Sequence, residues 1–195
     1  MKTGITGGIG SGKSYVCKRL QMRGIQIYDC DEAAKRLIRT SPDIYRQLTE
    51  LIGPEAYHHS TLTTPPYTLN KAAVAQFLLK SDENAKAIDA IVHPAVFRDF
   101  EESGLEWMES AILYESGISQ LVDCVIVVTA PEEVRIQRVM KRDGISREKV
   151  REWMQRQWPQ EEVRKLADFE IINDGIADID EQLDELLMKM KDERV

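Results

Sequence analysis

Apolar positions along the chain fall into two patterns, short runs that are apolar on both faces and longer stretches with helical spacing. Residues 2–6 form a short extended segment and 25–28 a short β-rich run, while 111–114, 125–128 and 169–172 belong to the first kind. Such runs predict strands covered on both sides, as in a parallel sheet. The last ends in the turn Asn173-Asp174-Gly175. Between the first two lie a glycine-rich loop, residues 7–12, and a predicted helix, residues 13–22, that stops at Gly24. Strand, loop, helix and strand within about thirty residues make one βαβ unit. Five strands of this style predict an open α/β sheet.

Between the second and third predicted strands lie about eighty residues without strand signal, far more than the dozen or so a crossover needs. Residues 31–38, 43–52, 72–79 and 85–92 read as helices there, and 60–66 as a loop. Pro94 is expected to open a further helix, 95–102, leaving His93 at the junction. This segment is a helical insertion, suited to holding something against the sheet edge. The C-terminal helix carries one apolar stripe, Ile179, Leu183, Leu186, Leu187 and Met190. Its acids (Asp178, Asp180, Glu181, Asp184, Glu185) read as a solvated face. No internal repeat, heptad array or low-complexity tract is present.

The composition narrows the class. The chain has 195 residues, 43% hydrophobic and 30% charged, enough for one compact unit with an inserted subdomain and too apolar for disorder. No apolar run approaches the ~18 residues of a membrane span. The first residues carry no signal-type apolar segment, so a cytoplasmic location is expected. A formal net charge of −7 argues against nucleic acid as a partner. It leaves room for a local basic pocket. Cys17, Cys30 and Cys124 lack metal-type spacing and read as packed, reduced thiols. His58-His59 reads as surface loop rather than a metal site.

Residues 7–14, Gly-Gly-Ile-Gly-Ser-Gly-Lys-Ser, match G-x-x-x-x-G-K-S at every fixed position. Gly8, Ile9, Gly10, Ser11 and Gly12 would turn consecutive backbone N–H groups toward phosphate oxygens, and the helix that follows adds its positive dipole end. Lys13 would reach the β- and γ-phosphates, Ser14 would hold Mg²⁺, and the Tyr15 N–H is placed for the α-phosphate. A strand before and a helix after give this motif its required context, so the chain reads as a nucleotide-binding protein.

Two further features bear on what the nucleotide is for. Asp29 and Asp31 end the second predicted strand, where positions two apart in an extended chain face the same way, toward the ligand-binding edge of the sheet. Asp31 fits a base for an attacking hydroxyl or a metal ligand, and equally an N-cap for the following helix. Glu115, after the run 111–114, is a second edge carboxylate, suited to the metal's outer shell or to capping a turn. From Arg135 to Arg156 eight Lys or Arg face three acids. Arg135, Arg138 and Arg142 share one helical stripe, and Asp143-Gly144 and Ser146 mark the tip of a helical hairpin. That pattern fits a lid whose guanidiniums meet a transferring phosphoryl group, or a solvated basic face.

In these residues the chain resembles the dephospho-CoA kinase family. The resemblance is carried by residues 6–14, by Asp29-Cys30-Asp31 and by Ile91-Val92-His93-Pro94. It continues in residues 111–115 and 138–143, in Ala167-Asp168 and in Asn173-Asp174-Gly175. Order and spacing agree from residue 3 to about 176. The resemblance implies a P-loop NTPase three-layer α/β fold. Its parts would be a five-stranded parallel sheet (core 1–30, 108–134 and 166–195), a helical substrate-binding insertion (31–107) and a helical lid (135–165). It implies ATP as substrate, Mg²⁺, and phosphorylation of the ribose 3′-hydroxyl of dephospho-CoA to give coenzyme A, the last step of CoA biosynthesis. It further implies Asp31 as base, an acceptor site on the insertion around His93 with Glu115 in the substrate set, Arg138 and Arg142 along the phosphoryl path, and Asn173 near adenine. The expected partners are the two small-molecule substrates, the expected assembly a monomer or small homo-oligomer. Ala111 stands where the family usually has proline, Tyr15 where it has threonine, Asn70-Lys71 where Asp-Arg is frequent, and Trp153 where arginine is common.

Rival readings are another small-molecule kinase, a GTPase switch and a nucleic-acid motor. No Asn-Lys-x-Asp guanine motif exists, since Asn70-Lys71-Ala72-Ala73 fails at its last position. An acidic chain of this size also lacks strand-tracking basic surfaces.

Overall fold

In the computed structural model, which describes residues 1–59 and 66–192, the residues leading into the glycine loop form β1 (Thr3–Thr6), and all are buried. The chain continues through α1 (Lys13–Met22), β2 (Ile27–Asp29), α2 (Cys30–Thr40) and α3 (Pro42–Ile52). A small hairpin, β3 (Tyr57–His59) and β4 (Tyr67–Leu69), precedes α4 (Lys71–Leu78) and the long α5 (Asp82–Ser103). Then come β5 (Trp107–Glu109), β6 (Cys124–Thr129), α6 (Glu132–Asp143), α7 (Arg147–Met154), α8 (Gln160–Leu166), β7 (Phe169–Ile172) and α9 (Ile179–Asp192). The chain divides into two compact units, Met1–Tyr28 with Leu105–Val195, and Asp29–Gly104.

The first unit is built on a five-stranded parallel sheet in the order β2-β5-β1-β6-β7. Placing β1 at the centre follows from its sequence, since Thr3–Thr6 has no charged side chain to solvate and is covered on both faces. Ile5 lies level with Glu109 on β5 and with Ile126 on β6. The core joins Ile5, Ile126, Val128 and Ile171 of the sheet to Val16 and Leu20 of α1 and to Leu183 and Leu186 of α9. The stripe expected on the C-terminal helix is therefore the buried one. Its acids are not all solvent-facing ornaments: Asp180 pairs with Arg19 and Arg23, and Asp184 with Arg23 at 2.8 Å, tying α9 to α1. Cys17, Cys30 and Cys124 are free and buried.

The second unit is helical, with Ile44, Leu48, Ala56 and Tyr57 at its centre and Ile88, Ile91 and Ala95 packed against them. Tyr45, Tyr57 and Tyr67 form an aromatic cluster with centroids 4.3–5.5 Å apart. Burial pushes the Tyr57 hydroxyl up to about 12, and it donates to the Ile38 carbonyl at 3.0 Å.

Three expectations need correction. The third strand is β5, not residues 111–114. The ladder ends at Ser110, whose N–H donates to the Ile5 carbonyl, and residues 112–117 then turn on themselves. Leu113 is buried as fully as a strand residue, and in so short an apolar run periodicity does not separate a turn from a strand. Second, Pro94 does not start a helix but lies inside α5, exposed, while Ile88, Ile91 and Ala95 on both sides of it pack into one core. Tertiary packing offsets the lost backbone bond. Third, His58 and His59 belong to β3, paired antiparallel with β4, where no strand was expected. Residues 60–65 of the expected loop lie outside the described residues.

Leu183 is fully buried and Glu181 is exposed on the same helix. Leu183→Ala should cost about 2–5 kcal/mol in chemical unfolding, and Glu181→Ala less than about 0.5 kcal/mol; comparable losses would mean that α9 does not close the core.

Candidate active site

The phosphate loop is shaped before any ligand arrives. β1 ends at Thr6, and Gly12 caps α1 in the left-handed conformation (φ 85°), which L side chains rarely adopt. A Cβ there would also collide with the Asn173 amide nitrogen. Within the loop the Ser11 N–H bonds the Gly8 carbonyl at 3.0 Å. Among the described residues the N–H groups of Gly10, Gly12 and Ser14 make no hydrogen bond, so three donors remain at a helix N-terminus. The Tyr15 N–H does not join them, contrary to expectation. It closes a tight turn on the Gly12 carbonyl at 2.9 Å, a common way for the first helical turn to satisfy a donor.

Lys13 is paired with Glu109, and both side chains are nearly buried, at 10% and 11% exposure. The register of β1 against β5 makes this pair, since it sets Glu109 level with the end of the strand that enters the loop. Glu109 was missed in the sequence because the third strand was placed four residues too late. An acid closing the run Trp107-Met108 was the available signal. Glu115, the acid expected at the edge, instead accepts the Trp158 N–H at 3.0 Å, in the turn region after β5.

Asn173 anchors the other side of the loop. Its amide donates to the Ser11 carbonyl at 2.8 Å, and Arg138 donates to the Asn173 carbonyl at 2.9 Å. Beside them opens a cavity of about 620 Å³ lined by Gly12, Tyr15, Arg138, Asn173, Gly175 and Ala177 among others. Its rim is the turn at Asp174, whose carboxylate accepts the Ile176 and Ala177 N–H groups, which hold its pKa below the usual range. Tyr15 stands half exposed at the mouth.

The basic stripe of α6 divides by position. Arg135 is buried against the loop, Arg138 reaches Asn173, and Arg142 lies on the exposed face, bidentate to Asp143 at 2.7 and 2.8 Å. Arg147 clamps α7 to α6 through Glu133 at 2.6 and 2.7 Å, holding that carboxyl down to about 2. Gln157 links three segments of this unit: its side-chain oxygen accepts the Ile9 N–H at 2.8 Å and its amide donates to the Ala111 carbonyl at 3.2 Å. Nothing in the sequence marked Gln157.

In the helical unit, the N-cap of α2 is Asp29, which accepts the Glu32 N–H at 2.9 Å. Asp31 sits in the first helical turn, exposed, without a hydrogen bond or ion pair among the described residues. The two carboxylates therefore do not share an extended strand, and the capping alternative weighed for Asp31 falls to its neighbour. His93 lies on α5, 3.6 Å from Asp89 and stacked on Phe97 with centroids 6.4 Å apart.

A central β1 feeding a G-x-x-x-x-G-K-S loop, in a parallel sheet of this order with a helical hairpin after β6, defines a P-loop phosphotransferase acting on small molecules. The dephospho-CoA kinase family model matches residues 1–178. A dephospho-CoA kinase of Bacteroides fragilis is 38% identical over 194 residues, 96% of this chain and 91% of that protein. One of Porphyromonas gingivalis is 40% identical over 177 residues, covering 87% and 84% of the two chains. Among solved structures, TT1252 of Thermus thermophilus has a TM-score of 0.80 at 33% identity over 97% of both chains. The chain belongs to the dephospho-CoA kinase family. Its reaction is the ATP-dependent phosphorylation of dephospho-CoA that completes coenzyme A.

Lys13→Ala removes the one side-chain charge of the loop, where electrostatic stabilisation of the transferring phosphoryl is concentrated. Steady-state kcat should fall by about a hundredfold or more; near-normal turnover would take the loop out of the mechanism.

Proposed function

We propose that this chain transfers the γ-phosphoryl of ATP to the ribose 3′-hydroxyl of dephospho-CoA, with Asp31 serving as base. The observation that carries the reading is the loop itself, with three unbonded N–H donors beside a buried lysine. The triphosphate takes those donors, Lys13 follows the β- and γ-phosphates, and adenine enters the 620 Å³ cavity beside Asn173. Arg138 is already fixed at that cavity. Arg142 leaves its exposed pair with Asp143 at little cost and serves as the mobile cation of a lid spanning residues 135–165. Glu115 supports the lid through Trp158.

The helical unit, with His93 on α5, receives the acceptor. Asp31 orients the ribose hydroxyl and accepts its proton as the new O–P bond forms and ADP leaves. Ser14 and Glu109 offer a hydroxyl and a carboxylate, the hard oxygen donors that Mg²⁺ takes beside phosphate oxygens and water. Among the described residues no cluster of three or more His, Cys, Asp or Glu could hold a metal alone, which suits an ion carried in with the nucleotide. When bound it would supply charge neutralisation at the β- and γ-phosphates. No helix among the described residues is long and apolar enough to cross a membrane. The buried free thiols suit a reducing compartment, and we place the reaction in the cytoplasm with two small molecules as its partners, the protein being a monomer or small homo-oligomer.

Turnover with dephospho-CoA, AMP, shikimate and gluconate as competing acceptors tests the substrate, and ³¹P NMR of the product locates the phosphate. A 3′-phosphate on dephospho-CoA is expected; preference for another acceptor would overturn the reading. Asp31→Asn should lower kcat by roughly 10²–10⁴ with ATP affinity and melting temperature nearly unchanged, because Asp31 caps nothing. Wild-type turnover in that variant would move the base elsewhere.

A further inference from the structure

Arg135 is a buried cation without a buried anion. Its side chain is 6% exposed, yet among the described residues it forms no ion pair. The guanidinium donates to the Ile9 carbonyl at 2.9 Å through Nε and to the Gln160 side-chain oxygen at 3.5 Å through Nη1. Nη2 faces the phosphate loop: a Cβ on Gly8 would run into it and meet Cζ at 3.0 Å. A Cβ on Gly10 would come within 2.5 Å of the Arg135 carbonyl oxygen. Gly10 is thus required by the backbone of α6 pressing against the loop, and Gly8 leaves room for the end of the Arg135 side chain, independently of a ligand on the other side. Burial depresses the Arg135 pKa, opposed by the charge of Glu132, one turn earlier on α6, which makes no ion pair with it.

Leaving a guanidinium in that state disfavours the empty protein, because desolvation is not offset by a carboxylate. The same burial strengthens its field, since less water screens it. Among the described residues the backbone carbonyl that meets it is that of Ile9, the residue next to Gly8, and that bond turns the Ile9 oxygen toward Arg135. The Ile9 N–H is held in turn by Gln157. The two peptide groups that flank the Ile9 Cα are therefore each held by a side chain, and a full positive charge stands directly behind them.

We propose that Arg135 is a positioning residue of the phosphate site, a built-in cation whose counter-ion is the polyphosphate of the bound nucleotide and which acts through the loop without touching the transferred group. This rests on the loop being the ATP site. Lys13 approaches the phosphates as a side chain that can move, whereas Arg135 supplies charge that is fixed in the fold. Its contribution scales with the charge of the ligand.

The test compares ATP, ADP and AMP binding by calorimetry in the wild type, Arg135→Gln and Arg135→Lys, with melting curves of each unliganded protein. Arg135→Gln keeps a donor for the Ile9 carbonyl and removes the charge, while Arg135→Lys keeps the charge and loses the planar fork. The expected result is an ATP affinity about tenfold weaker in Arg135→Gln, a smaller loss for ADP, little for AMP, and substantial recovery in Arg135→Lys. The unliganded Arg135→Gln protein should melt no lower than the wild type. Equal weakening for all three nucleotides, full affinity in Arg135→Gln, or failure of that variant to fold would make Arg135 a structural brace and overturn the proposal. Wild-type protein that binds no ATP would instead overturn the reading of the loop beneath it.

Discussion

A buried lysine needs an opposite charge, and in this fold the need is met by one register. With Ile5 set level with Glu109, the carboxylate that ends β5 stands beside the loop that leaves β1, and Lys13 is held there without a nucleotide. Moving either strand by one residue would turn Glu109 to the other face of the sheet and leave Lys13 without that partner. The rest of the site is arranged around this pair. Asn173 and Arg138 brace the loop from β7 and α6, Arg135 and Gln157 hold the C=O and the N–H of Ile9, and among the described residues the N–H groups of Gly10, Gly12 and Ser14 are left over for a ligand. The receptor is thus preorganised, and the binding of phosphate needs an exchange of partners rather than a refolding of the loop.

That arrangement separates two kinds of arginine that share one helical stripe. Arg135, close to the start of α6, is immobilised under the loop, whereas Arg142 in its last turn is 62% exposed and, among the described residues, paired only with its sequence neighbour. On the roles proposed above, fixed charge preorganises the ground state of the site and mobile charge serves the moment of transfer. The hairpin of α6 and α7 is correspondingly tied within itself, through Arg147 and Glu133, while its exposed pairs cost little to break.

Much of this was legible in the chain because it is local. The loop motif, α1, the hairpin tip at Asp143-Gly144, the stripe of α9 and the turn at Asn173 each depend on residues close in sequence, and all stand where expected. What failed depends on contacts made at a distance. Residues 111–114 are as apolar as a strand, but the ladder from Ile5 ends at Ser110. Pro94 reads as a helix start until the core of the helical unit is seen to hold both sides of it. The choice between Asp29 and Asp31 as cap turns on a helix boundary two residues away, within the ordinary uncertainty of such boundaries. Arg135 and Gln157 are invisible for the same reason, since an arginine in a basic stripe and a glutamine after a helix carry no mark of the loop they will touch.

If Lys13 exchanges Glu109 for phosphate, the carboxylate is a competitor that must be displaced when no metal is present. The direct measurement is ATP binding in EDTA to the wild type and to Glu109→Gln. Removing the competing charge should strengthen metal-free ATP binding by about tenfold, because the Glu109 carboxylate no longer competes with the ligand for Lys13. Unchanged or weaker binding would contradict this account, since it would mean that Glu109 holds Lys13 in place for the nucleotide rather than standing in for it.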